Sequence, residues 1–241
     1  MLHKTLGIIL HTIKYSETSL ITKIFTRDFG LQSYIISGIR NKKSKNKATL
    51  FQPLAMVELI VSNSQKGSLQ RISEINTHYP YVDIPYNISK SSIALFLNEV
   101  LFKAINVEHP DEDMFEFIKS SLQILDLEHK NCSNFHIYFM VQLSRFLGFY
   151  PQGNYSSDNS IFDLQEGRFV NYLPNHPHYL KSQNAKLLND FIIAEYETAL
   201  QMAIDKIQRK QLLQALVTFY QLHISSFKEI KSHQVLEEVI I

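Results

Sequence analysis

The apolar pattern of this chain changes its period near residue 80, and that change constrains the fold more than any other feature. Before it, short apolar runs alternate with turn signals, as expected of β-strands. These runs are Lys4–Lys14, Leu20–Phe25, Leu31–Ser37, Leu54–Ser62 and Ser68–Thr77. The segment Tyr79–Asn87 contains two prolines and breaks the pattern. The sequence therefore predicts a β-domain at residues 1–80 and a second domain at residues 81–241.

Five short strands within the first domain predict a small β-barrel of the OB type. An SH3-like barrel has the same number of strands, and apolar periodicity does not separate the two. Gly7 interrupts the first run and is a candidate bulge residue. The predicted fold class is α+β, with a five-stranded OB-type barrel followed by an all-helical C-terminal domain.

After the boundary, apolar residues recur at helical spacing. The predicted features are a helix around Ile93–Ala104, a second beginning at Pro110-Asp111, a third capped by Ser133 and ending at Gly148, an irregular insertion at 152–180 with a hairpin over Ile161–Tyr172, a helix capped by Ser182 and running to about Tyr196, and a long helix over Ile207–Phe227. The insertion contains Gly153, Gly167, Pro174 and Pro177, which explains why no helix is predicted there.

Charge is divided unevenly between the two predicted domains. Residues 1–80 contain 11 Lys/Arg and 4 Asp/Glu, a net charge of +7, although the whole chain carries only +1. Residues 81–241 therefore carry −6. Such a division indicates that the β-domain alone meets a polyanion.

The strongest local signal is a basic segment between the third and fourth predicted strands. Its cations are Arg40, Lys42, Lys43, Lys45 and Lys47, and no acid occurs between Asp28 and Glu58. Against a phosphate backbone these cations would release condensed counterions, so that affinity would fall steeply with salt. A solvated loop without a partner is the alternative. The segment has no base-reading pattern, so any nucleic-acid binding is expected to be weakly sequence-specific.

Aromatic residues near these cations are candidates for stacking on bases. They are Phe25, Phe29, Tyr34 and Phe51, flanked by Lys23, Arg27 and Lys45. Each of the four is more easily explained as barrel core. Tyr34 is expected to be the best surface candidate, because its hydroxyl requires solvent or a partner.

Other chemistry has little support in the sequence. The single cysteine, Cys132, excludes an internal disulfide and a cysteine-based zinc site, and it is typical of a reducing cytoplasm. Ten histidines form no metalloprotease pattern, and the close pair His176 and His178 is not predicted to bind metal. Nucleotide-binding glycine motifs and the nucleophile elbow are missing, so no enzyme is predicted. No apolar run approaches the length of a membrane span.

The helical domain has an apolar stripe wider than a single helix needs. Its members are Leu212, Leu213, Leu216, Val217, Phe219 and Tyr220. Core packing is the simpler interpretation, and a groove for a partner peptide is the alternative. Lys119 or Arg145 could pair there with an acidic peptide.

Several segments together resemble the bacterial RecO family of recombination mediators over nearly the whole chain. They are Gly7-Ile-Ile-Leu10, Tyr15-Ser-Glu-Thr-Ser-Leu-Ile21, Phe25-Thr-Arg-Asp-Phe-Gly30, Ser37-Gly-Ile-Arg40, Lys42-Lys-Ser-Lys45, Leu50-Phe-Gln-Pro-Leu54, Leu143-Ser-Arg-Phe-Leu-Gly-Phe-Tyr-Pro151, Tyr220-Gln-Leu-His223 and Lys231-Ser-His-Gln-Val-Leu236. The order and spacing of these segments carry the resemblance rather than any one of them.

The resemblance implies an N-terminal OB fold, binding to single- and double-stranded DNA, and annealing of complementary strands. It also implies partnership with RecR and contact with the acidic C-terminal tail of single-strand-binding protein, so that RecA is loaded on coated DNA. The expected location is the cytoplasm, at the nucleoid. The residues carried over as DNA contacts are Arg40, Lys42, Lys43 and Lys45, with Arg27 and Tyr34.

One departure from the family concerns zinc. Many members carry four zinc-binding cysteines after the Gly-x-x-Pro segment, whereas Gln152–Leu180 contains none in this chain. Zinc is therefore not expected, and packing alone has to hold the predicted hairpin. Two other functions remain open from the residues themselves, a protein–protein adaptor with an OB-like domain and an RNA-binding accessory factor.

Overall fold

The computed structural model describes residues 2–37, 49–62, 69–106, 109–129 and 132–240. The chain forms two compact units. Unit 1 comprises Met1–Pro85 and Ile105–Asp126, and unit 2 comprises Tyr86–Ala104 and Leu127–Ile241. The sequence-based division at residue 80 follows the change in periodicity, whereas packing also groups Ile105–Asp126 with the strands.

Unit 1 is built on a closed five-stranded barrel. Its strands are β1 (Leu2–Lys14), β2 (Ser19–Thr26), β3 (Gly30–Ser37), β4 (Met56–Ser62) and β5 (Leu69–Tyr79). They are hydrogen-bonded in the order β1-β2-β3-β5-β4, and β1 also pairs with β4. The β3–β5 pair is parallel and the other pairs are antiparallel. Apolar periodicity did not separate an OB-type barrel from an SH3-like barrel. The strand order of the closed barrel confirms the predicted OB type.

Alternation along the strands places one set of apolar side chains inside the barrel. The interior cluster consists of Ile9, Ile24, Tyr34, Ile36, Phe51, Val57, Leu59, Val61, Ile72 and Ile75. Gly7 lies on the same side of β1, where a Cβ atom would come within 2.6 Å of Ile24 Cγ2 and 3.1 Å of Leu59 Cδ1. Glycine is therefore required at this position by close packing and not by a bulge.

A bulge does occur in β1, three residues further along. Ile9 is opposite Ile24, but His11 is opposite Lys23, so that Leu10 is an extra residue in β1. An extra residue reverses the alternation of the side chains that follow it. Thr12 consequently points inward, where its hydroxyl lies 3.0 Å from that of Thr22.

Unit 1 also contains the helix α2 (Glu112–Leu127) up to Asp126. The Asp111 carboxylate accepts a hydrogen bond from Met114 N–H, which caps this helix and confirms the predicted start. Near its other end, the buried Asp126 carboxylate accepts hydrogen bonds from the backbone N–H groups of Val82, Asp83 and Ile84, each at 2.9 Å. Asp126 thereby fixes the segment that follows β5.

Unit 2 contains six described helices. They are α1 (Ile88–Ala104), α3 (Phe135–Phe146), α4 (Ser182–Ile193), α5 (Tyr196–Gln201), α6 (Lys206–His223) and α7 (Ser232–Ile240). Leu212, Leu213, Leu216, Phe219 and Tyr220 of α6 are all buried. The apolar stripe predicted on this helix is therefore core, apart from the partly buried Val217. No described helix has the length and apolar character needed to cross a membrane.

A three-stranded sheet occupies the predicted irregular insertion. Strands β6 (Ile161–Asp163) and β7 (Arg168–Val170) form the predicted hairpin, and β8 (Tyr179–Lys181) pairs with the other edge of β6. The buried Asp163 carboxylate accepts hydrogen bonds from Gln165 N–H at 2.8 Å and Glu166 N–H at 3.0 Å. These bonds stabilise the hairpin turn.

Four local predictions were wrong. Ser133 does not cap α3, because the cap position is Asn134, which makes no side-chain cap bond. Ser182 is already the first residue of α4, and the helical region to Tyr196 is broken at Ala194. Leu54 precedes β4 in a left-handed conformation with φ 61° rather than in the strand. The last long helix ends at His223, before the predicted Phe227.

Candidate nucleic-acid interface

The outer surface of the barrel has a covered part and an open part. In the covered part, Phe25 is fully buried and its ring centroid lies 5.9 Å from that of Phe115 in α2. Beyond the bulge at Leu10, the outward residues of β1, β2, β3 and β5 are exposed or half-buried. We call this part the open barrel face and define it as His11, Ile13, Tyr15, Ser19, Ile21, Lys23, Ser33, Ile35, Ser37, Leu69 and Arg71.

Strand register orders the open barrel face into rows that cross the strands. The first row is His11, Lys23, Ser33 and Leu69, and the second is Ile13, Ile21, Ile35 and Arg71. With strands about 4.8 Å apart, the three isoleucines form an apolar band roughly 10 Å long. Ile13 is 47% exposed, and Ile21 and Ile35 are half-buried.

A third row closes this face at the end of the β1–β2 hairpin. Tyr15 follows β1 directly, and its backbone N–H donates to the Ser19 carbonyl oxygen at 3.0 Å. Ser19 is in turn opposite Ser37, the last residue of β3. The Tyr15 side chain is 63% exposed, so that its ring is available to a ligand.

The charge of the open barrel face is positive or neutral throughout. Lys23 and Arg71 are exposed, His11 lies beside Lys23, and none of the residues that define this face is acidic. The exposed Glu17, in the turn between β1 and β2, is the acid closest in sequence to Tyr15. An apolar band edged by cations suits a ligand with apolar surfaces and negative charge.

Arg27, one of the predicted contacts, lies at the covered end of β2. Its Nε atom is 3.3 Å from Asp28 Oδ1, and the two side chains are 37% and 39% exposed. An exposed pair of this kind contributes little stability, so that a phosphate could replace Asp28 at little cost. Arg27 therefore stays a candidate, although it is not part of the open barrel face.

The five predicted cations of the basic segment, Arg40, Lys42, Lys43, Lys45 and Lys47, lie outside the described residues. In the sequence, their segment follows Ser37. Ser37 itself lies in the same row of the open barrel face as Tyr15. Their role in binding remains a prediction from sequence.

The expectation that Tyr34 faces outward was wrong. It alternates with the outward residues Ser33 and Ile35, and its side chain is fully buried in the barrel interior. Burial raises the pKa of Tyr34 to about 12, and the Thr26 side chain offsets part of this effect. In this conformation the ring cannot stack on a base.

The other three aromatic candidates agree with the core interpretation to different degrees. Phe25 and Phe51 are buried, as the simpler interpretation predicted. Phe29 is half-buried and contacts the ring of His3 edge-on, with 5.6 Å between centroids. Among the residues that define the open barrel face, the exposed aromatic is instead Tyr15.

Comparison with known proteins identifies the family. The family model "Recombination protein O N terminal" matches residues 1–81, and "Recombination protein O C terminal" matches residues 85–232. The chain belongs to the RecO family. DNA repair protein RecO of Phocaeicola vulgatus is 37% identical over 99% of both chains. The proteins of that name from Bacteroides fragilis and Flavobacterium psychrophilum are 36% and 34% identical, over 99% and 98% of both chains.

The two cations suggested for a peptide groove in this RecO family member lie in different units. Lys119, on α2 of unit 1, forms an ion pair with Glu116 one turn earlier. Arg145, at the end of α3 in unit 2, is exposed and its guanidinium carbon lies 4.6 Å from the centroid of the Tyr150 ring. Arg145 is the better candidate for an acidic ligand, since stacking on Tyr150 holds the guanidinium in place.

The hairpin of the cysteine-free insertion is held by packing and hydrogen bonds. His223 of α6 stacks on Phe149, with 5.2 Å between centroids, and its Nε2 atom lies 2.9 Å from the Leu164 carbonyl oxygen. His176 Nε2 lies 3.3 Å from Asp163 Oδ2. Across the described part of the chain, no three His, Cys, Asp or Glu side chains come together as a metal site.

Apart from Lys23, sequence reasoning did not identify the residues of the open barrel face as candidate site residues. Ile13, Ile21 and Tyr15 were read as strand or family-motif residues, and Arg71 was not singled out. The bulge explains the omission, because regular alternation from Ile9 would have placed Ile13 inside the barrel. Counting instead from Ile24 on β2 would have found Ile21 and Lys23 on the outer face.

Proposed function

We propose that this chain is a non-enzymatic mediator of DNA repair and homologous recombination. In this proposal it binds single- and double-stranded DNA and anneals complementary strands. Together with RecR, it helps to load RecA onto DNA coated by single-strand-binding protein. Membership of the RecO family over both halves of the chain supports this role.

The observation that carries the DNA-binding part is the position of positive charge in the barrel domain. Residues 1–80 carry a net charge of +7, and the open barrel face adds Lys23 and Arg71 without an acid among its residues. The basic segment with Arg40, Lys42, Lys43, Lys45 and Lys47 follows the same face in the chain. Such a surface binds phosphates without reading sequence.

Annealing would follow from the same charges. Two complementary strands repel each other because both are polyanions. A cationic surface that neutralises several phosphates on each strand lowers this repulsion and releases counterions. Weak sequence dependence is an advantage here, since base pairing itself supplies the specificity.

Unit 2 would recruit protein partners, namely RecR and the acidic tail of single-strand-binding protein. Arg145, exposed beside Tyr150, offers a cation and an aromatic ring to an acidic peptide. Lys119, which lies on α2 of unit 1 and is already paired with Glu116, is proposed as a separate anchor there. Both assignments are tested by tail-peptide binding to Arg145→Ala and Lys119→Ala.

Strand annealing tests the central proposal. The variant Arg40→Ala/Lys42→Ala/Lys43→Ala/Lys45→Ala should anneal complementary strands slowly and bind DNA with a shallower salt dependence. The matched control Lys181→Ala/Lys186→Ala/Lys206→Ala/Lys228→Ala removes the same charge from exposed positions of unit 2. Equal annealing and equal salt slopes for the two variants would refute the role of the basic segment.

A protein–protein adaptor is the second candidate, and the exposed apolar residues Ile13 and Leu69 favour it. Fluorescence anisotropy with labelled single-stranded DNA at low and high salt separates the two functions. Salt-sensitive binding supports the mediator, and its absence supports the adaptor. Competition with RNA oligomers addresses an RNA-binding role, because backbone contacts alone do not exclude RNA.

A further inference from the structure

The residues on either side of the basic segment are both fastened to the β1–β2 hairpin. Before the segment, the Ser19 hydroxyl donates a hydrogen bond to the Ser37 hydroxyl at 3.3 Å. After it, the Thr12 hydroxyl donates to the Phe51 carbonyl oxygen at 3.3 Å. We propose that Thr12 is a positioning residue, which holds the chain at Phe51 and so preorganises the proposed DNA contacts of the basic segment. This inference rests on the proposed DNA-binding function and adds a residue that does not itself touch DNA.

Thr12 faces Phe51 because of the bulge in β1. Without the extra residue at Leu10, regular alternation would turn Thr12 to solvent. In the barrel interior the Thr12 hydroxyl also lies 3.0 Å from that of Thr22, which donates to the His11 carbonyl oxygen at 3.1 Å. The bulge therefore places a hydrogen-bond donor inside the barrel where the chain returns from the basic segment.

The turn that follows the basic segment, residues 49–54, is also bound to β1 at its far end. Leu54 N–H donates to the Ile9 carbonyl oxygen at 2.7 Å, and Ile9 N–H donates to the Ala55 carbonyl oxygen at 3.0 Å. Phe51 precedes Leu54 by three residues and follows Lys47 by four. The bond from Thr12 thereby extends the fixed part of the chain toward the cations.

Fixing the chain at Phe51 lowers the entropic cost of binding. A polyanion that binds several cations of one chain segment orders that segment, and every residue ordered on binding loses conformational freedom. Releasing Phe51 would lengthen the part of the chain that binding must order. Affinity should then fall although every phosphate contact is kept, because Thr12 is uncharged and its hydroxyl points into the barrel.

The rival explanation is that the Thr12 hydroxyl only stabilises the barrel. Valine has nearly the same shape and suits a strand, so Thr12→Val removes the hydroxyl and little else. Thr5, on the same strand, provides the matched control, because its buried hydroxyl donates to the carbonyl oxygen of the adjacent Leu6 at 3.3 Å. A structural role would give Thr12→Val and Thr5→Val the same DNA binding, whereas a positioning role separates them.

Fluorescence anisotropy with labelled oligothymidine, over a range of salt concentrations, tests the positioning role. Thr12→Val should bind about two- to fivefold more weakly than wild type at every salt concentration, a factor of the size expected from one hydrogen bond. Its salt slope should equal that of wild type, because no phosphate contact is lost. Thr12→Ser, which keeps the hydroxyl, and Thr5→Val should both bind like wild type.

The same substitution in the variant Arg40→Ala/Lys42→Ala/Lys43→Ala/Lys45→Ala shows whether Thr12 acts through the basic segment. We expect Thr12→Val to cause no further loss of affinity in that variant. Equal losses in both backgrounds, an altered salt slope, or wild-type affinity in Thr12→Val would refute the positioning role. A Thr12→Val protein that no longer folds, as judged by urea unfolding, would show a structural role and refute it as well.

Failure of the proposed function gives a different result. If the fourfold variant itself binds oligothymidine with wild-type affinity and salt slope, the proposed role of the basic segment is refuted. If that variant binds weakly and Thr12→Val binds like wild type, the proposed function stands and the positioning role alone is refuted.

Discussion

The Tyr79 hydroxyl donates a hydrogen bond to Asp126 Oδ2 at 3.1 Å, joining residues 47 positions apart in the chain. The same carboxylate accepts three backbone N–H groups from residues 82–84 and has no exposed surface. Burial alone would raise the pKa of Asp126, but the hydrogen bonds from Ile84, Val82, Asp83 and Tyr79 outweigh it and hold the pKa below its ordinary value. Asp126 is therefore ionised at neutral pH.

Asp126→Asn should destabilise the protein by about 2 kcal/mol or more, because a neutral amide replaces an acceptor of charge-assisted bonds. The amide nitrogen would also face one of the backbone N–H donors. Urea unfolding measures the change, with Asp158→Asn in an exposed loop as the control. A midpoint equal to that of the control would mean that the four bonds contribute nothing.

Acid should destabilise the protein through His136. The ring is fully buried in α3, and neither nitrogen has a hydrogen-bond partner among the described residues. Burial, together with the positive charge of Arg209, lowers the pKa of His136 to about 3. The unfolded chain takes up this proton near pH 6.5 and the folded chain does not, so stability should fall from about pH 6.5 downward, by about 1.4 kcal/mol per pH unit.

Urea midpoints across this pH range test the effect. The acid slope should become shallower in His136→Leu and stay unchanged in the control His109→Leu, which alters an exposed histidine. At neutral pH, His136→Leu should cost little, because it removes two buried atoms without partners. Parallel slopes for wild type and His136→Leu would show that other groups cause the acid sensitivity.

Gly7→Ala should destabilise the barrel by about 1–3 kcal/mol, since the added methyl group collides with Ile24 and Leu59 in a packed interior. The double variant Gly7→Ala/Ile24→Ala makes room for it. Its loss of stability should be smaller than the sum of the two single losses, as measured by a double-mutant cycle. Additive losses would show that the collision with Ile24 does not cause the loss of stability in Gly7→Ala.

His223→Leu should loosen the β6–β7 hairpin by removing the bond to the Leu164 carbonyl oxygen. We expect faster amide hydrogen exchange over residues 161–170 and a loss of about 1 kcal/mol in unfolding free energy. Lys228→Leu, at an exposed position near the same helix end, is the control. Unchanged exchange would mean that ring packing alone holds the hairpin.

Metal removal should leave the protein unaffected, because Gln152–Leu180 contains no cysteine. Thermal unfolding midpoints with and without a strong chelator should coincide. A lower midpoint with chelator, restored by added zinc, would contradict the prediction. Metal content measured on the purified protein provides an independent check.

Apolar spacing predicted all five barrel strands and most helices, because burial of one face selects both the residues and their period. It could not predict features that depend on distant residues. The short helix α7 buries Ser232 and Leu236, and its start is bound by Glu99 of α1, whose carboxylate accepts the Ser232 N–H at 2.8 Å. Burial alone would raise the pKa of Glu99, but hydrogen bonds, led by those from Lys103 and Ser232, lower it to about 2.

The local sequence pattern also did not predict which way individual side chains point. Tyr34 has a polar hydroxyl that suggested the surface, yet the alternation set by Ile36 places it inside. The same alternation predicts an outward Ile35 once a single neighbour has been placed. Site residues on a barrel therefore follow from register, which pairing between strands determines.

The extra residue at Leu10 makes the open barrel face sensitive to chain length. Deleting it would restore regular alternation, so that Thr12 would turn to solvent and Ile13 into the barrel. The isoleucine band would lose its β1 member although Ile13 itself would not be substituted. During evolution this surface can thus be tuned residue by residue through substitution, whereas a one-codon insertion or deletion in this strand would dismantle it.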